Sequence, residues 1–218
     1  MKTDDFSKYL QPTPYFDYQS ENIRAFADQL SEGLKNPRDI AIRFYNAVRD
    51  QIRYNPYVFS SKRETFRASY ALEKKETYCI PKAVLLGAMA RYKGIPACLG
   101  LSDVQNHLAS PQFVALLRTN IFAMHGFIKL YLDGQWVTAT PAFNKDLCTL
   151  MGVAPLEFDG KQDSIFQEFT PEGHLHMEYL KSYGEFAEVP VELITQVLTE
   201  RYPHLFKVDS FQEAHSFE

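Results

Sequence analysis

Residues 125–141, HGFIKLYLDGQWVTATP, restrict the fold more than any other stretch of the chain. Two runs of β-forming residues flank Asp133-Gly134, a pair suited to the tight two-residue turn of a hairpin. Side chains alternate along a strand, so Phe127, Lys129 and Tyr131 face one way and Ile128, Leu130 and Leu132 the other.

Upstream of this hairpin the apolar spacing is helical. Ser20 is placed to cap a helix from Glu21 to about Leu34, with Ile23, Phe26, Ala27, Leu30 and Leu34 on one face. Asn36 and Pro37 suit the cap and first position of a second helix, which reaches about Ile52 through Ile42, Tyr45, Val48 and Arg49. Pro12 and Pro14 argue against any helix in the first 20 residues. Residues 57–77 are ambiguous, with SYALEKKE as a helical turn. Val84, Leu85, Ala88, Met89 and Tyr92 then mark a third helix that closes at Gly94. IPACLGL reads as a strand, QFVALLRTN fits strand or helix, and the chain after Pro141 looks irregular. A last helix spans about Val191 to Tyr202, and a loose tail is expected from Val208. Helices followed by a core helix and then a sheet make an α+β pattern. We expect one domain over residues 1–207, with a core of about 20–145 and a C-terminal extension over 146–207.

Composition narrows the class. With 45% hydrophobic and 14% aromatic residues among 218, the chain has the means to fold around a core. A formal charge of −4 argues against a nucleic-acid binder. No apolar run approaches the roughly 20 residues of a membrane span, and the acidic, proline-broken start lacks the apolar region of a signal peptide. A cytoplasmic protein without a cofactor or metal is expected. The three cysteines, Cys79, Cys98 and Cys148, are too few and too far apart for a disulfide framework or a structural zinc site.

Cys79 stands where the third helix begins, in ETYCIPKAVLLGAMARYKGIPA (residues 76–97). Backbone N–H groups at a helix start favour a thiolate, and Lys82 is expected to push the same way. The competing reading is a core residue, because free cysteine is among the most buried residue types. Cys98, in mid-strand, and Cys148, in KDLCTLMG, read as core. A nucleophilic cysteine needs a base. Of His107, His125, His174, His176, His204 and His215, only His125 opens a rigid element. His174 and His176, with Glu172 and Glu178 nearby, form a weak metal-binding pattern for which loop histidines are the plainer reading. His204 and His215 read as surface.

Taken in order, these stretches resemble the transglutaminase-like superfamily. That family's pattern is a cysteine at a helix start, an R-x-x-G-I-P-A turn, a histidine at a strand start and a D-G-x-W-V hairpin ending in Asp-Pro. AIRFYNAVRDQIRYNPY resembles the segment that precedes its core, and the resemblance covers about residues 10–145. It implies a papain-like fold in which a central helix carrying Cys79 packs on an antiparallel sheet carrying His125. It also implies that Cys79 is the nucleophile, His125 the general base and acid, and an amide of a peptide or protein the substrate. One position departs from the pattern: Thr140 stands where the family has aspartate. Threonine can accept a hydrogen bond from an imidazole but brings no charge. Asn144, Asp146, Glu157, Asp159 and Asp163 are the other candidates for the third position. The stretch ATPAFN and the residues downstream of it resemble a bacterial subgroup in which that sequence is usual.

An oxyanion hole is expected from backbone N–H groups near Cys79, with Tyr78 a candidate. Trp136 reads either as a hairpin core residue facing the central helix or as part of a substrate site, and Tyr54 as cleft or packing. Residues 143–190 are expected to cover the cleft. Two functions are compatible with this pattern. One is acyl transfer through a thioester on Cys79, with hydrolysis favoured over cross-linking. The other is an inactive scaffold that binds a partner, because Thr140 has replaced the charged residue.

Overall fold

In the computed structural model, residues 6–166, 170 and 173–206 are described, so Glu172, His215 and the expected tail from Val208 lie outside the described residues. One helical turn, α1 (Ser7–Leu10), precedes the two prolines, so the lead-in is not wholly extended. α2 (Glu21–Ser31) follows Ser20, whose hydroxyl turns to Asp17 rather than capping the helix. The chain leaves this helix before Leu34 because Gly33 takes a left-handed φ of 75°. α3 (Pro37–Gln51) starts as expected, with the Asn36 side chain accepting the Arg38 N–H. Two short parallel strands, β1 (Arg53–Tyr54) and β2 (Glu76–Thr77), bracket α4 (Ala68–Lys74), and α5 (Cys79–Tyr92) comes next.

β3 (Ala97–Asn106) leads to α6 (Pro111–Leu117), so QFVALLRTN resolves as a helix, capped by Ser110 with Pro111 in its first turn. β4 (Ile121–Leu132) and β5 (Gln135–Ala139) form the expected hairpin, with Asp133 and Gly134 at φ 49° and 88°. The chain after Pro141 is more regular than its sequence suggests. It forms α7 (Lys145–Met151) and β6 (Met177–Phe186) before α8 (Val191–Arg201).

The four long strands are all antiparallel, in the order β5-β4-β3-β6. The hairpin buries Ile128, Leu130 and Leu132 and leaves Phe127, Lys129 and Tyr131 partly exposed, as the alternation predicts. Its buried face packs on α5, which α2, α3 and α4 enclose from the other side. α5 is therefore buried all round from Ile80 to Arg91, not on one stripe. Even its basic residues are internal. Arg91 donates to the carbonyls of Gln11, Ala97 and Ala187, tying the lead-in and the end of β6 to the helix. At Gly87 a side-chain carbon would come within 2.6 Å of Phe16 and 2.7 Å of Ile128. The Phe16 ring and the Ile128 side chain of the sheet thus pack directly on the helix backbone there.

Candidate active site

Cys79 is the first residue of α5, after an extended Tyr78. The N–H of Gly126 on β4 donates to its Sγ at 3.4 Å. Only glycine permits this approach, since a Cβ at residue 126 would lie 2.8 Å from Ile80 Cα. The Ile80 and Cys79 N–H groups also favour the thiolate, but burial outweighs all three and pushes the thiol up to about 11. Tyr78, whose backbone is a candidate oxyanion donor, is extended just before the helix. Its carbonyl accepts the Lys82 N–H, and its buried hydroxyl has no hydrogen-bond partner. Lys82 departs from expectation. It is fully buried, and its Nζ donates to the carbonyls of Arg49 and Ile52 at 2.9 and 2.5 Å, closing the end of α3. Burial takes its pKa down to about 7.

His125 immediately precedes Gly126, the residue whose N–H meets the thiol. It does not open β4 but follows an irregularity within it. Register shifts between Ser102 and Val104 on β3, and Met124 takes φ 60°. The Asp103 carboxylate accepts the Met124 N–H at 3.1 Å and holds this bulge. His125 is buried, its Nε2 has no partner, and burial lowers its pKa to about 4. Its ring centroid lies 5.4 Å from that of Phe166 and 6.3 Å from that of Tyr179.

Thr140 is buried just beyond β5, with its carbonyl accepting the Tyr45 hydroxyl and its own hydroxyl unpartnered. Asn144 is buried before α7, and its Oδ1 accepts the Tyr54 N–H at 3.2 Å. The acids proposed from sequence are engaged elsewhere or exposed. Glu157 pairs with Arg49, Asp159 accepts the Lys161 and Gln162 N–H groups, Asp163 accepts the Thr138 N–H, and Asp146 is exposed.

Sequence reasoning missed Phe166 and Tyr179, and took His176 only as a loop histidine or half of a weak metal pattern. The Phe166 ring neighbours both the His125 and the His176 rings, and both Tyr179 Oη and His176 Nε2 are buried without partners. The alternation of Met177, Tyr179, Lys181 and Tyr183 was the available signal, but charged residues interrupt it.

Tyr54 packs edge-on against Phe143 and shares an apolar cavity of about 90 Å³ with Cys79, Tyr78 and Phe122. A wider cavity of about 520 Å³ adjoins it across Tyr54 and Phe122. Trp136 lines neither. It sits opposite Tyr131 on the outer face of the hairpin and packs on Phe6, Tyr9 and Tyr131, not on the central helix. Its register partner decides this, because paired residues share a face. Cys98 and Cys148 are buried free thiols. His174 is exposed while His176 is buried, and Glu178 is taken by His107 at 2.5 Å. Among the described residues no cluster of three metal-ligating side chains occurs. Nor is any described helix long and apolar enough to cross a membrane.

A family profile described as the transglutaminase-like superfamily matches residues 24–141, just over half of the chain. Among solved structures, the chain is similar to a provisionally assigned cysteine protease from Cytophaga hutchinsonii. Identity is 16%, the TM-score is 0.50, and the match covers 63% of this chain and 42% of that one. A provisionally assigned protease from Parabacteroides distasonis is similar at 15% identity and a TM-score of 0.41, over 62% of this chain and 25% of that one. The chain spans under half the length of either structure. A search of curated proteins returns no match. The first likeness bears on the fold, a cysteine-bearing helix on an antiparallel sheet of the papain-like kind.

Proposed function

Because the chain belongs to the transglutaminase-like superfamily, we propose that it is a cysteine acyl-transfer enzyme acting on an amide of a peptide or protein. Cys79 is the nucleophile and His125 the general base and acid. The observation that carries this reading is the Gly126 N–H on Cys79 Sγ, which sets the histidine strand directly on the first turn of the cysteine helix.

In the first half-reaction His125 takes the thiol proton as sulfur attacks the carbonyl carbon. The oxyanion that forms needs N–H donors, and those of Cys79 and Ile80 lie at the helix start. His125 then gives its proton to the amine nitrogen as the C–N bond breaks, leaving a thioester on Cys79. In the second, water loses a proton to His125 and attacks the thioester. The C–S bond breaks, the acid departs and the thiol recovers the proton. Hydrolysis is favoured over transamidation because neither cavity is lined by a carboxylate that would hold an amine.

One observation favours the alternative, an inactive binding scaffold. Burial holds both the thiol and the imidazole in their neutral forms, and Thr140 brings no charge to oppose that. Mass spectrometry after treatment with p-nitrophenyl acetate separates the two. An acetyl thioester on Cys79 is expected, forming about 10²–10⁴-fold more slowly in His125→Ala. No adduct on Cys79 at any pH would leave the scaffold reading standing.

A further inference from the structure

His125 Nε2, Thr140 Oγ1 and Tyr179 Oη are buried and make no hydrogen bond. Buried polar atoms are nearly always paired, and each unpaired one costs roughly 1–3 kcal/mol. They come from β4, the chain just past β5, and β6. Tyr179 joins them. Its ring stands edge-on to His125, and its register partner is Val104, beside the bulge that positions His125. Burial pushes its phenol up to about 12, opposed by the Phe166 N–H and the Thr140 hydroxyl, which approach it without reaching hydrogen-bond geometry, and reinforced by the Cys79 sulfur. The phenol therefore sits among the thiol, the imidazole and the threonine. No carboxylate proposed from sequence serves there, since Glu157, Asp159 and Asp163 have other partners and Asp146 is exposed.

We propose that Tyr179, acting with Thr140, is the positioning residue for His125, a pair of hydroxyls in place of the orienting carboxylate. The proposal rests on the acyl-transfer reading of this site. The three groups, unpaired at rest, close into a chain when the imidazole takes the thiol proton: one hydroxyl then accepts the Nε2 N–H and gives its own hydrogen to the other, which fixes the tautomer. The second ring nitrogen is left to accept the thiol proton. Two neutral hydroxyls stabilise an imidazolium less than a carboxylate does, so the histidine stays neutral until the thiol attacks. The titratable groups facing Tyr179 are Cys79 from α5 and His125 from β4, with His176 beside the Phe166 ring.

The test is the rate of Cys79 alkylation by iodoacetamide in the full chain, followed by mass spectrometry over a pH series. Tyr179→Phe and Thr140→Val should each slow the His125-dependent rate at neutral pH by about tenfold, the effect of one strong hydrogen bond. Each should also move the pH profile towards alkali, because the thiol must then ionise unaided. Thr140→Ser keeps the hydroxyl and should match the wild type. The double variant Tyr179→Phe/Thr140→Val should be no slower than either single one, since one break interrupts the chain. If His125→Ala slows alkylation while Tyr179→Phe and Thr140→Val do not, or if their effects simply multiply, the inference fails and the acyl-transfer reading stands. If His125→Ala changes nothing, both fail.

Discussion

Burial gives His125 and Cys79 opposite pH signatures. For His125 the folded-state pKa of about 4 lies below the ordinary 6.5, so between those values the unfolded chain binds more protons than the native one. The stability from this group is present above about 6.5 and is lost as pH falls towards 4. At about 1.36 kcal/mol per unit, the whole loss is of order 3 kcal/mol. His176 is lowered by the same cause and adds with the same sign. Cys79 runs the other way, because its pKa is raised from 9.0 to about 11 and its contribution fades as pH climbs through that window. Urea unfolding at a series of pH values should show stability falling below about 6.5, with a clearly shallower fall in His125→Asn. An equal slope in both proteins would mean that His125 titrates as an exposed imidazole does.

At the scale of elements, the site is one contact, the first turn of α5 against β4 at Gly126. The hairpin, the central helix and Cys79 at its start were legible because each carries a local signal: Asp133-Gly134, a periodic apolar run, a strand-to-helix break. The bulge at Met124 was not, because it depends on Asp103 from another strand. Nor was β6, an edge strand with one neighbour and only one buried residue, where alternation is weak. Lys82 misled for a related reason. Helical spacing places it near Cys79 along the helix, but the end of α3 takes its ammonium. The Gly126 contact gives the element-scale prediction. Gly126→Ala adds a carbon 2.8 Å from backbone that cannot rotate away. It should cost about 1–3 kcal/mol by overpacking. It should also abolish His125-dependent alkylation of Cys79, because the strand must lift off the helix. Thermal melting and the iodoacetamide rate measure the two effects. A destabilised variant with wild-type alkylation would show that the strand and helix need not touch here.

Across the whole molecule, Asp103 does for distant elements what Gly126 does for two. Its buried carboxylate accepts the Met124 N–H at 3.1 Å, the Tyr183 hydroxyl at 3.1 Å and an Arg201 N–H at 3.0 Å. One side chain on β3 thereby joins the bulge of β4, the strand β6 and the helix α8. Nothing in the sequence around Asp103 marks it out, since all three partners lie 21 to 98 residues away. The consequence reaches the site because Met124 is held at φ 60° immediately before His125. A non-glycine residue keeps that conformation only while its surroundings enforce it. Asp103→Ala leaves the Met124 N–H and the Tyr183 hydroxyl without their acceptor and the guanidinium of Arg201 without its partner. It should cost about 1–3 kcal/mol, as a buried donor left without its acceptor does. In the fraction that remains folded, Cys79 alkylation should fall to the His125→Ala rate, because β4 relaxes and carries the imidazole away. Arg201→Ala should also lower stability, by up to about 3–5 kcal/mol, because it leaves the Asp103 carboxylate, only 2% exposed, without its cation, but it should leave that rate unchanged in the folded fraction, since the Met124 N–H keeps its acceptor. If Arg201→Ala lowers the alkylation rate as far as Asp103→Ala does, the Arg201 ion pair rather than the Met124 hydrogen bond is what holds the bulge. If Asp103→Ala is destabilised but still alkylates at the wild-type rate, His125 is held in place by the packing of Phe166 and Tyr179 alone.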